Sequence, residues 1–99
     1  MYVSLSRLRI PEDRAEDLVA AFRRRAKLVD EFEGFVDLQV WQSDRDPGEL
    51  VMVSRWTDRE CFKRYMTSRE HQVSHDRIDP DLDAAIKLER LEHMHVVAE

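Results

Sequence analysis

The chain has 99 residues, 42% of them hydrophobic and 37% charged, and a formal net charge of −5. This is the composition of one globular domain, not of a disordered tail. The acidic balance argues against nucleic acid as a partner, and no stretch reaches the ~20 apolar residues of a membrane span. Cys61 is the only cysteine, so no intrachain disulfide can form. Residues 1–10 interleave Ser and Arg with apolar residues and lack the apolar run of a signal peptide, so a cytoplasmic protein is expected.

Residues 2–10 alternate as a strand. Tyr2, Ser4, Ser6, Leu8 and Ile10 share one face, and Val3, Leu5, Arg7 and Arg9 the other. Pro11, with no N–H to donate, ends the ladder. Asp13 with Glu16 reads as a cap for a first helix, whose apolar stripe is Ala15, Leu18, Val19, Phe22, Ala26 and Val29. The run Arg23-Arg24-Arg25 reads as its solvated face, with an anion site as the lesser reading. Gly34 turns the chain. Residues 35–43 and 50–57 then read as a hairpin about the turn Asp44 to Gly48. Thr57 with Glu60 reads as a capping box for a second helix that buries Phe62, Tyr65 and Met66. Ser68 can cap a short helix carrying His71 and His75. Asp79-Pro80-Asp81 interrupts it, a helical turn follows through Leu82, Ala85 and Ile86, and a last strand runs from about Leu88 to Val97. The order β-α-β-β-α-β is that of an α+β, ferredoxin-like fold with a four-stranded antiparallel sheet, spanning residues 1–99 as a single domain.

The hairpin predicts a partner. Val36, Leu38 and Val40 oppose Phe35 and Trp41, and Leu50, Met52 and Trp56 oppose Val51 and Val53. A sheet with one wet face alternates apolar with polar, whereas here both faces are apolar. The helices can cover one face only. A homodimer packed sheet to sheet is expected.

Ser4 and Ser6 lie side by side on the expected helix-facing side. They suit either the floor of a cavity or a tight helix contact, and a buried hydroxyl must find a partner. His75 can ligate a metal through one imidazole nitrogen, or serve as a surface or capping histidine. His71 and His75 share a helix face at a spacing that also suits zinc, with no obvious third ligand nearby in sequence. His93 and His95 share a strand face, as a half-buried pair or as pocket lining. Cys61 reads as an inert buried thiol. No Gly-rich phosphate loop, nucleophile elbow or paired-cysteine metal site is present, nor a flavin or nicotinamide motif.

The stretch Val3 to Leu8, Glu33-Gly34-Phe35, Val53 to Trp56 running into Cys61-Phe62, and Tyr65 to Ser68 followed by His71 and His75 resemble the antibiotic-biosynthesis monooxygenase superfamily of dimeric α+β barrels. The pattern is most similar to the haem-degrading monooxygenases of the IsdG type. That resemblance implies haem as cofactor and substrate, with His75 as the iron ligand and an external reductase as electron donor. It places Tyr65 where that branch has Trp, ten residues before the His, and Ser6 where it has Asn. It implies a pocket lined by Ser6, Phe22, Trp56 and Tyr65, with Ser6, Tyr65 and His75 as the catalytic set. The same scaffold serves cofactor-free oxygenation of a phenolic or quinone-like molecule with His75 or His71 as base, or a non-catalytic dimeric binding domain.

Overall fold

The computed structural model describes residues 1–24, 28–76 and 78–99, and only the backbone of Leu28 and of residues 73–76. Strands β1 (Tyr2–Arg9), β2 (Phe35–Gln42), β3 (Glu49–Trp56) and β4 (Lys87–His95) form one antiparallel sheet in the order β2-β3-β1-β4. The helices are α1 (Ala15–Arg23), α2 (Arg59–Met66), α3 (Arg69–Asp76) and α4 (Pro80–Ala85). The expected element order is the one observed. The β2–β3 turn is closed by Ser43 N–H donating to the Glu49 carbonyl (2.9 Å) and by Gly48 N–H donating to the Asp46 carboxylate (3.0 Å).

Register assigns the faces. Across the sheet, Trp56 pairs with Tyr2 and Tyr2 with His95; Ser54 pairs with Ser4 and Ser4 with His93. Met52 pairs with Ser6 and Ser6 with Leu91; Leu50 pairs with Leu8. These residues share the helix-covered side. Val3, Leu5, Arg7, Val51, Val53 and Trp41 share the side that no described helix covers.

Two clusters hold the helices down. Tyr2, Val29, Trp56, Cys61 and Tyr65 form an aromatic one, with Phe32, Phe35 and Phe62 packed against it. Ile10, Ala15, Leu18, Leu50 and Leu82 form an aliphatic one, joined by Phe22 and Val40. Trp56, Leu18 and Leu50 are the largest side chains fully buried.

Several local expectations change. A shift in register between Phe35 and Asp37 moves Phe35 onto the helix-covered side, beside Trp56 at 5.4 Å and away from Trp41. A bulge of this kind inverts every side chain before it. Helix α1 ends at Arg23, and a 3-10 turn over Leu28–Glu31 follows. Leu18 and Phe22 belong to the aliphatic cluster and Val29 to the aromatic one, so the stripe serves two cores rather than one helix face; Ala26 lies outside the described residues. Asp13 sits in a 3-10 turn, Glu12–Arg14, and α1 starts at Ala15, with Arg14 at its N-cap and no side-chain cap. The α2 cap is Asp58 rather than Thr57: its carboxylate accepts from Cys61 N–H (2.9 Å), while Thr57 N–H is taken by the Gly34 carbonyl (2.8 Å). The Asp58 carboxyl is held below its ordinary range by that backbone hydrogen bond. Met66, expected in the core, is 43% exposed. Ser68 does cap α3, accepting from His71 N–H (3.2 Å), and Asp79 caps α4.

On the uncovered side, Leu5 and Val53 form an apolar centre already shielded within the chain, with Val3 and Val51 half-buried beside it. Ion pairs rim it: Arg7 with Glu92 at 2.7 Å, Arg9 with Asp46 at 2.8 Å, and Arg55 with both oxygens of Asp37. Hydrogen bonds from these guanidinium groups hold Glu92, Asp46 and Asp37 below their ordinary values, so the rim stays ionised at neutral pH. Such depressed values stabilise the fold above the unfolded-state pKa and are lost as pH falls through the folded one.

Gly34 has φ +83°, and a Cβ there would collide with Cβ and Sγ of Cys61. The turn therefore requires glycine on two counts, the left-handed backbone and the closeness of α2. Gly34→Ala is expected to destabilise the fold by roughly 1–3 kcal/mol in chemical denaturation. An unchanged midpoint would contradict this account of the turn.

Candidate functional site

The helix-covered side is not covered evenly. At one end of β1, Tyr2 and Trp56 are buried in the aromatic cluster; at the other, Leu8 is buried and its cross-strand partner Leu50 belongs to the aliphatic one. Tyr2 and Leu8 stand six residues apart, about 20 Å at the usual strand rise. Between them run two cross-strand rows. Val40, Met52, Ser6 and Leu91 make the first, and none of the four is buried. Leu38, Ser54, Ser4 and His93 make the second, in which only Ser4 is buried.

This strip has no charged side chain on its floor. Leu91 is 51% exposed although it faces the helix side, which marks the β4 end as the open one. The β2 end is walled by α1, where Val19, Phe22, Leu38 and Val40 line a cavity of about 340 Å³ with Arg23 at its lip. A larger hollow of about 430 Å³ lies at the end of the sheet, between Arg9, Pro11, Asp46 and Lys87, and includes none of the expected site residues.

The expected site residues fall in three groups. Ser6 lies on the floor of the strip, and Phe22 forms its α1 wall. Trp56 and Tyr65 sit in the aromatic cluster, rings 5.3 Å apart, at 1% and 8% exposure. They contribute its end wall, not a free surface. Trp56 is oriented by its indole N–H donating to Ser54 Oγ (3.0 Å). The Tyr65 ring is further enclosed by Phe32 at 5.2 Å and His71 at 5.1 Å. His75 lies on α3, but its side chain is outside the described residues. Among the described residues, no group of three or more His, Cys, Asp and Glu could hold a metal ion. Cys61 is buried, as expected.

The sequence reading missed Met52, Val40 and Leu91 as floor residues. Each was legible as apolar, but only register places the three beside Ser6. No helix among the described residues is long and apolar enough to cross a membrane.

The geometry has counterparts among known proteins. A family model described as antibiotic biosynthesis monooxygenase matches residues 1–77. No curated protein sequence matches the chain. Among solved structures, the chain is similar to MhuD, a haem-degrader from Mycobacterium tuberculosis with two haems bound in its active site. The two share 18% identity over 100% of this chain and 98% of that one, at a TM-score of 0.83. It is also similar to SnoaB, a cofactor-independent oxygenase from Streptomyces nogalater, at 17% identity over 99% and 94% of the two chains, TM-score 0.74. A conserved protein from Methanosarcina mazei is similar at 15% identity over 94% and 89%, TM-score 0.74. At such identities the structural likeness is one of fold. The family match spans most of the chain and agrees with its four-stranded α+β architecture, and the chain belongs to the antibiotic biosynthesis monooxygenase family.

Proposed function

We propose that this chain is a dimeric monooxygenase that binds haem over the strip between its two cores and degrades it. The observation that carries the reading is the uncovered row Val40–Met52–Ser6–Leu91. It faces the helices, so a partner's sheet on the opposite side cannot cover it, and a flat apolar molecule can. The floor suits such a ring system: apolar side chains, three small serines and no acidic or basic chain besides the His93 imidazole.

When bound, haem supplies the iron centre for oxygen chemistry and the ring to be opened, with electrons from an external reductase. The chain's residues then have distinct tasks. His75 would be the residue to hold the iron. Ser6 presents a hydroxyl from the floor, shorter in reach than an Asn. Phe22 packs on the ring from α1, and Trp56 with Tyr65 forms a rigid stop at one end. Both aromatic rings are held by their neighbours, so the stop does not yield to the ligand.

The locked position of Tyr65 favours a second reading. A side chain so enclosed presses little on a macrocycle. A cofactor-free oxygenation of a phenolic or quinone-like molecule needs no such pressure, only a desolvated strip and a base such as His71 or His75. A purely non-catalytic domain is supported less, because its helix-covered side has no need of an open strip.

The dimer rests on the other side of the sheet. Its apolar centre and ionised rim suit a second copy, where each guanidinium-carboxylate pair meets its symmetry equivalent. The solution mass is expected to be twice the 11.8 kDa of one chain. Val51→Asp should shift it toward the monomer and Leu91→Asp should not; a monomeric wild type at micromolar concentration would contradict the dimer. Haemin added to the protein should give a shifted Soret band. His75→Ala should alter that band in a folded protein, and Ser6→Trp, which fills the strip, should weaken binding by about tenfold, equivalent to ~1.4 kcal/mol. No Soret shift in the wild type would remove the haem reading, and oxygen uptake with an anthrone-type substrate without haem would support the second.

A further inference from the structure

The β4 end of the strip holds an imidazole that the reading above does not use. His93 pairs in register with Ser4 and lies one row from Ser6 and Leu91 on the same side of the sheet. Its ring is stacked on Tyr2, with centroids 5.7 Å apart and planes at 18°, and sits 5.5 Å from Phe62 of α2. Two aromatic contacts therefore fix a side chain that is itself exposed. Among the described residues, its ring contacts are its only interactions, so both nitrogens are available.

The neighbouring charges point elsewhere. Arg90 faces Arg7 across the ladder, on the uncovered side, and Glu92 is engaged there by Arg7. Glu89 accepts from Arg9 at 3.2 Å. On the helix-facing side, β4 presents Leu88, Leu91, His93 and His95. His95 stands one row beyond the strip, edge-on to Tyr2 at 5.5 Å. His93 is thus the one polar side chain that β4 contributes to the strip.

An amphipathic planar ligand can turn its charged edge toward Arg23 at the α1 lip or toward the open β4 end, and the open end keeps that edge in water. Its apolar body belongs at the α1 wall, against Phe22 and Val40, and its charged edge must stay in contact with water. The water-facing end is β4. We infer that His93 is a binding residue of the strip, donating a hydrogen bond from its imidazole to a carboxylate on the outer edge of the bound ring. This rests on the haem reading and sharpens it: the ligand is a planar molecule with an anionic oxygen edge, seated with that edge toward β4.

The test compares haemin with its dimethyl ester, which has the same ring and iron but no free carboxylates. His93→Phe keeps a flat ring to stack on Tyr2 and Phe62 and removes both nitrogens. Followed by absorption titration, His93→Phe should bind haemin about ten- to a hundredfold more weakly than wild type, the range of a hydrogen bond to a charged group. It should bind the ester as wild type does, and His95→Phe should leave both affinities unchanged. Equal weakening toward haemin and ester would overturn the inference, since it would show loss of packing rather than of a carboxylate contact. Unchanged haemin binding by His93→Phe would overturn it as well, while leaving the haem reading intact. Wild-type protein that binds neither probe would remove both.

Discussion

Alternation along β1 sets the rest of the molecule. On its helix-facing side the strand carries Tyr2, Ser4, Ser6 and Leu8, followed by Ile10. Large residues at the two ends anchor two separate clusters, and the small serines between them give a helix nothing to grip. Burial of a large apolar side chain stabilises by about 1.5–3 kcal/mol, so the helices settle where such residues stand. The strip is therefore a consequence of side-chain size along one strand, and it exists whatever molecule fills it.

The two sides of the sheet divide the work. The uncovered side combines a shielded apolar centre with ion pairs at its rim, the composition of a surface between two proteins. The helix-covered side carries the strip, open at β4 and walled at α1. Because the two lie on opposite sides of one sheet, the proposed pairing and the proposed ligand binding would not compete for the same residues. They are joined only through the strands, where each residue of the strip is flanked in sequence by residues of the uncovered side. Ser6, for example, lies between Leu5 and Arg7.

Much of this was legible in the sequence. Period-two alternation placed β1 and the hairpin, Asp44 to Gly48 marked the turn, and Ser4 with Ser6 marked the gap. What was not legible depended on tertiary register. The bulge at Phe35 moved that ring to the other side of the sheet, and no local signal announces an extra residue in a strand. The stripe from Ala15 to Val29 fitted one helix, yet its ends were drawn to different clusters. Thr57 and Asp58 are adjacent cap candidates, and only the Gly34 carbonyl, which takes the Thr57 amide, decides between them. Met66 had the right polarity for the core but stands on the outer face of α2. The family resemblance foresaw the fold, and the match over residues 1–77 agrees with it. Of the expected site residues, Ser6 and Phe22 border open space, whereas Trp56 and Tyr65 are packed into the core behind it.

The central claim is that the row from Val40 to Leu91 is the ligand's floor. Methyl NMR of the full chain titrated with gallium protoporphyrin, a diamagnetic stand-in for haem, tests it most directly. The account predicts shift changes concentrated at the methyl groups of Val40, Met52 and Leu91, with Val51 and Val53 on the opposite side little affected. Changes concentrated at Val51 and Val53, or none at all, would contradict it.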